Sequence, residues 1–167
     1  MDEQLHRLAK ELGESALQAR VMITTAESCT GGWVAEVMTS ITGSSKWFER
    51  GFVTYSNLSK QEMLGVSEET LVQHGAVSEQ TVREMARGAL QHSHAHLAVA
   101  ISGIAGPGGA TLDKPVGTVC LAWAAGGEVV RSQTEHYSGN REEIRRQAVI
   151  AAIDGMLGML AERELQG

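Results

Sequence analysis

Three hydroxyls and two proton carriers give this chain its candidate chemistry: Ser28, Thr30 and Ser45 as nucleophiles, Tyr55 and Lys60 to move protons. A serine hydroxyl attacks a carbonyl only when a base removes its proton. The sequence offers no evident Ser-His-Asp set and no G-x-S-x-G elbow. A lysine can serve instead when burial or nearby cations lower its pKa toward the working range. Lys60 follows Tyr55 by five residues, past a strand end and at the start of a helix, so both could project over one sheet edge. The plainer alternative makes Lys60 a solvated helix residue and Tyr55 the end of an amphipathic strand.

Ser28 and Thr30 belong to the turn Thr24-Thr25-Ala26-Glu27-Ser28-Cys29-Thr30-Gly31-Gly32-Trp33. Val21 to Ile23 reads as a buried strand before it, and Trp33 to about Thr39 as a helix after it. Such a turn presents backbone N–H groups that favour a phosphate or the oxyanion of a reacting carbonyl. A second turn of this kind, Ser102-Gly103-Ile104-Ala105-Gly106-Pro107-Gly108-Gly109, follows the apolar strand Leu97–Ile101. Ligands of open α/β sheets bind beyond strand C-termini, so the two turns are expected to share one edge. Among other candidates, Cys29 is a possible thiol nucleophile, set against its reading as a small core residue. His92, His94 and His96 suggest a metal, but no partner Cys or acidic pair has zinc spacing, and no metal or cofactor is expected. Arg141 and Arg145 lie one helical turn apart and could fork a phosphate or carboxylate.

Length and composition bound the rest. The 167 residues are 43% hydrophobic and 20% charged, which fits one globular domain over 1–167 with a real core. The net charge of −6, without a basic stripe, argues against nucleic acid as partner. No apolar run is long enough to span a bilayer, and the acidic start Met1-Asp2-Glu3-Gln4 is no signal peptide. With two cysteines in separate elements, a reducing cytoplasm is the expected location.

The patterning predicts an amphipathic helix over 2–19, a strand over Gly51–Ser56, and a capping box at Ser59–Glu62 opening a short helix. Further helices follow over Ser67–Gln73, from Ser78, and from Asn140 to about Leu160, the last with Asn140 and Glu143 in capping-box register. Val116–Trp123 and Glu128–Tyr137 read as a hairpin around Gly126-Gly127. Helices and strands alternate in α/β fashion, and the hairpin makes the sheet mixed.

In order along the chain come T-A-E-S-C-T-G-G, G-S-S-K-W-F-E-R-G-F-V-T-Y-S-N-L-S-K, H-G-A-V-S, S-G-I-A-G-P-G-G and K-P-V-G-T-V. Together these five motifs, from about residue 20 to 150, resemble the C-terminal domain family of the competence/damage-inducible protein CinA. The resemblance implies a three-layer α/β/α sandwich, a homo-oligomer of two or more copies, and no metal. It also implies hydrolysis of nicotinamide mononucleotide to nicotinate mononucleotide and ammonia, in pyridine-nucleotide recycling. Longer relatives carry a further N-terminal domain, whose activity is not expected here. From the family pattern come Ser45, Tyr55, Lys60 and Ser28 as catalytic residues, and Thr30, Gly31, Gly32, Ser102, Gly103, Gly106, Arg141 and Arg145 around the substrate. Ser45 is taken as nucleophile with Lys60 as its base and Tyr55 orienting Lys60 or relaying a proton. Ser28 is the second choice, and the substrate phosphate is placed near Arg141 or Arg145. The rival readings are a non-catalytic nucleotide-binding regulatory module and a zinc amidohydrolase using the histidines.

Overall fold

A computed structural model describes residues 2–166, apart from the side chains at 130 and 164–166; residues 1 and 167 of the expected 1–167 domain lie outside it. The elements run α1 (Glu3–Ala19), β1 (Ile23–Glu27), α2 (Trp33–Thr39), a 3₁₀ turn (Ser44–Lys46), β2 (Phe48–Val53), α3 (Asn57–Leu64), α4 (Glu68–His74), α5 (Glu79–Gln91), β3 (Leu97–Gly103), β4 (Thr118–Ala125), β5 (Glu128–His136) and α6 (Arg141–Gln166). Caps explain most of these boundaries. Asp2, Ser67 and Ser78 each accept from the first turn of their helices. Asn140 and Glu143 close a reciprocal box at the start of α6, as their spacing predicts.

Five strands form one mixed sheet in the order β2-β1-β3-β4-β5. The pairs β1–β2 and β1–β3 are parallel, β3–β4 and β4–β5 antiparallel. Alternation along the central strands assigns the two faces. Leu97, Val99 and Ile101 of β3, with Val119, Leu121 and Trp123 of β4, pack in a core that includes residues of α1, α2 and α6. Ala98, Ala100, Cys120, Ala122 and Ala124 point the other way, into a core with Leu64, Val82, Met85 and Ala89 of α3 and α5. The result is the expected three-layer α/β/α sandwich.

The second face carries small residues, so its helices lie close. At Gly88 an added Cβ would sit 1.8 Å from the carbonyl oxygen of Leu64, a backbone atom that cannot yield without moving α3. Overpacking of this kind costs about 1–3 kcal/mol. Gly88→Ala is therefore expected to lower the thermal midpoint by at least roughly 3 °C. An unchanged midpoint in a calorimetric scan would show that α3 and α5 separate freely.

β1 runs Ile23–Glu27 and not Val21–Ile23, so it takes the first four residues of the expected turn. Two further boundaries differ for identifiable reasons. β2 covers Phe48–Val53, not Gly51–Ser56, because its parallel register with β1 ends at Glu27↔Val53. Glu49 and Arg50, which make the strand look polar, form an ion pair (2.8 Å) on this edge strand. The capping box of α3 is Ser56 with Ser59, three residues before the Ser59–Glu62 pair that the spacing suggests. Ser56 thus ends the extended segment and starts the helix that carries Lys60.

Candidate active site

The chain leaves β1 for β2 on one side and returns over α3, α4 and α5 to β3 on the other. The topological switch point therefore falls between β1 and β3, where a crevice opens beyond the strand ends. The first glycine-rich turn follows β1 and the second follows β3, and the two strands pair from Ile23↔Leu97 to Glu27↔Ile101. The expected convergence of the turns is thereby realised. Between them lies a cavity of about 180 Å³, lined in part by Ser28, Cys29, Tyr55, Lys60, Ser102, Gly103 and Arg141.

Lys60 is the chemical centre of this cavity. Its side chain is 1% exposed, and Nζ donates to Ser28 Oγ (3.0 Å) and to the carbonyls of Thr54 (2.9 Å) and Tyr55 (3.2 Å). Burial pushes its pKa below the ordinary lysine value. The solvated-helix alternative does not hold for this residue. The capping box at Ser56 sets the phase of α3 so that Lys60 points inward, under the segment that has just left β2.

Ser28 is also buried, and its N–H donates to the Ile101 carbonyl (3.0 Å), which ties the turn to β3. The carbonyl of Ser28 accepts from Gly31 and that of Thr30 from Trp33. Among the described residues the N–H groups of Cys29 and Thr30 donate to no protein acceptor. Gly32, at φ +101°, turns the chain into α2 in a conformation that a side chain would oppose.

Glu27, which the sequence reading left without a role, fixes this turn from below. Its buried carboxylate accepts from the Thr30 hydroxyl (2.6 Å) and from the N–H groups of Val34 (2.9 Å) and Ala35 (3.1 Å). It thereby caps α2, whose N-cap glycine has no side chain to do so. Burial pushes the Glu27 pKa up, and these three donors oppose the shift. Thr30 accordingly faces Glu27 and not the cavity.

Several expected roles change. Ser45 is exposed in the 3₁₀ turn before β2, whereas Lys60 lies beyond the other end of that strand. Six residues of strand separate the two, roughly 20 Å, so Ser45 does not meet Lys60 within the chain. Tyr55 holds Lys60 through its backbone carbonyl; its ring is 63% exposed and its hydroxyl accepts from Arg141 Nη2 (3.2 Å). Arg145 is committed to the carbonyls of Cys29 (3.0 Å) and Thr30 (3.2 Å) and lies over the Trp33 ring. These two bonds brace the first turn, and Arg145 does not line the cavity. Arg141, exposed at the cavity mouth, donates to the Gly106 carbonyl (2.8 Å) and so braces the second. Gly31 adjoins Arg145, and Gly106 serves through its carbonyl; neither lines the cavity, whereas Ser102 and Gly103 do.

Cys29 lines the cavity, yet burial and the neighbouring Glu27 push its thiol up to about 12. A thiol so raised stays protonated and is a poor nucleophile. Cys29→Ala is expected to keep near-wild-type turnover, also after iodoacetamide treatment; a variant without activity would return the thiol to the mechanism. The three histidines engage separate partners: His96 Nδ1 accepts from Met22 N–H (2.9 Å), His92 Nδ1 lies 2.8 Å from the Gly88 carbonyl, and the His94 N–H donates to Glu49. Among the described residues no three His, Cys, Asp or Glu side chains group as a metal site. Nor is any helix among them long and apolar enough to cross a membrane.

The geometry can be set beside known proteins. The nicotinamide-nucleotide amidohydrolase PncC of Escherichia coli (strain K12) is 58% identical over 91% of this chain and 92% of its own length. The protein of that name from Pseudomonas putida is 52% identical over 93% and 96%. The crystal structure of the competence/damage inducible protein CihA from Agrobacterium tumefaciens superposes with a TM-score of 0.92 at 46% identity, covering 96% of this chain and 98% of that one. Residues 5–160 match the model of the CinA C-terminal domain, and the chain belongs to that family.

Proposed function

We propose that this protein is a nicotinamide-nucleotide amidase, hydrolysing nicotinamide mononucleotide to nicotinate mononucleotide and ammonia by Ser28–Lys60 acyl transfer. The observation that carries the reading is the 3.0 Å contact between a buried lysine amine and Ser28 Oγ inside a cavity at the switch point. The substrate class follows the names of the relatives that match nearly the whole chain.

In the first half-reaction neutral Lys60 takes the proton of Ser28 as Oγ bonds to the carboxamide carbon. The N–H groups of Cys29 and Thr30 receive the oxyanion, and such a donor is worth about 3 kcal/mol when preorganised. Lys60 then returns the proton to the departing nitrogen, the C–N bond breaks, and ammonia leaves an ester on Ser28. Water, deprotonated by Lys60, attacks that ester and frees the carboxylate and Ser28. The cationic pyridinium withdraws electrons from the amide, so a modest nucleophile suffices.

Ammonia release from nicotinamide mononucleotide, followed by a coupled assay, tests the reading. Release above background supports it, and none would leave the rival, a nucleotide-binding regulatory module. A homo-oligomer is part of the proposal, supported by the exposed apolar side chains of Val53, Tyr55 and Leu58, of which Tyr55 lines the cavity. Pyridine-nucleotide recycling is the corresponding physiological role.

A further inference from the structure

Two of the five sequence motifs, H-G-A-V-S and K-P-V-G-T-V, play no part in the Ser28–Lys60 chemistry, yet the fold brings them together. Lys114 Nζ donates to the His74 carbonyl at 2.7 Å, joining the start of one motif to the residue that opens the other. Beside this contact lies a second cavity, of about 680 Å³, and Val77 lines both it and the catalytic one. Cross-strand register connects them as well. Ser102 of the catalytic cavity pairs with Cys120, and Cys120 with Thr134, both of which line the second. Two strand spacings, about 9.5 Å, separate the ends of that row.

Size and charge then constrain what occupies each space. The catalytic cavity, at about 180 Å³, is below the roughly 300–1,000 Å³ of small-molecule sites, whereas the neighbour is within that range. A nucleotide whose amide reaches Ser28 must therefore extend beyond the first cavity. Arg145 directs Nε and Nη2 to protein carbonyls and lines neither cavity. The second cavity offers Lys114, with two ammonium hydrogens left after His74, and Arg83, which uses Nε on Ser132 and Nη2 on Glu79. Of its two carboxylates, Glu79 is held by Ser132, Thr134 and Arg83, and Asp113 lies beside Lys114 in sequence. His74, His136 and Cys120 complete the titratable lining.

We infer that this second cavity seats the ribose 5′-phosphate arm of the substrate, with Lys114 and Arg83 as the phosphate's cationic partners. The inference rests on the amidase reading and adds to it the residues that separate a nucleotide from its nucleoside. Lys114→Met should lower kcat/KM for nicotinamide mononucleotide at least tenfold, mostly through KM, and leave nicotinamide riboside, which lacks the phosphate, unaffected. Lys114→Gln, which keeps a donor for His74 but no charge, should show the same selective loss. Equal losses on both substrates, no loss on the nucleotide, or a phosphate-selective loss confined to Arg141→Met would overturn the assignment. Calorimetry with ribose 5-phosphate provides a readout free of turnover: the wild type binds it and Lys114→Met does not. Inorganic phosphate binding as tightly as ribose 5-phosphate would mark a free-anion site and also overturn it. If the wild type hydrolyses nothing but binds ribose 5-phosphate through Lys114, the amidase reading fails and the phosphate subsite stands.

Discussion

Ser28→Ala is expected to cut kcat for nicotinamide mononucleotide by at least roughly a thousandfold. The substitution removes the only hydroxyl in hydrogen-bond contact with Lys60 among the described residues, and an alanine takes its place without crowding the turn. Ser28's backbone links to Ile101 and Gly31 do not involve the lost oxygen, so the folded state should persist. Ser45→Ala provides the contrast. That residue is exposed before β2, remote from Lys60, and its replacement should leave turnover close to wild type. Steady-state kinetics on the two variants checks both statements. A reversed pattern, with Ser28→Ala active and Ser45→Ala dead, would discard the proposed nucleophile.

Lys60→Met is expected to be as severe, again about a thousandfold or more, because among the described residues no other base touches Ser28. The methionine fills a similar volume without a charge, which relieves the cost of burying an ammonium. It also leaves the Thr54 and Tyr55 carbonyls without their donor, at about 1–3 kcal/mol each. A modest net destabilisation with near-complete loss of activity is the expected signature.

The wild type should show the same residue in its pH profile. Lys60 acts as a base only when neutral, so kcat/KM rises with pH up to its inflection and falls about tenfold per unit below it. Burial lowers the folded-state pKa, so that inflection lies below the ordinary lysine value of 10.5. Between the lowered and the ordinary value the unfolded chain binds more protons than the folded one. This residue's contribution to stability therefore rises with pH across that window, and in Lys60→Met the contribution vanishes. A flat activity profile in that range would exclude Lys60 as the titrating base.

Much of this architecture can be read from local pattern. Apolar Leu97–Ile101, the caps at Ser67, Ser78 and Asn140, and the hairpin at Gly126-Gly127 are local signals, and the structure follows them. The meeting of the two turns was also legible, since both follow apolar strands and open sheets bind ligands at that edge. The separation of Ser45 from Lys60 was not. It depends on which end of β2 each side chain reaches, and β2 takes its limits from pairing with β1, not from its own alternation of large and small residues. Tyr55 misled for a related reason. Its position is essential to Lys60, but the contact is made by a carbonyl that every residue type carries. A linear reading makes Arg145 half of an anion fork and leaves Glu27 without a role, and only tertiary contacts turn one toward backbone carbonyls and the other under α2.

Arg141 and Arg145 project from neighbouring turns of one 26-residue helix, and each takes hold of a different loop. The wall that carries Ser28 and the wall across from it therefore share a common datum, as two jaws mounted on one rail would. A substitution that unseats this rail should therefore disturb both jaws at once, where one that frees a single arginine should loosen only the jaw it holds.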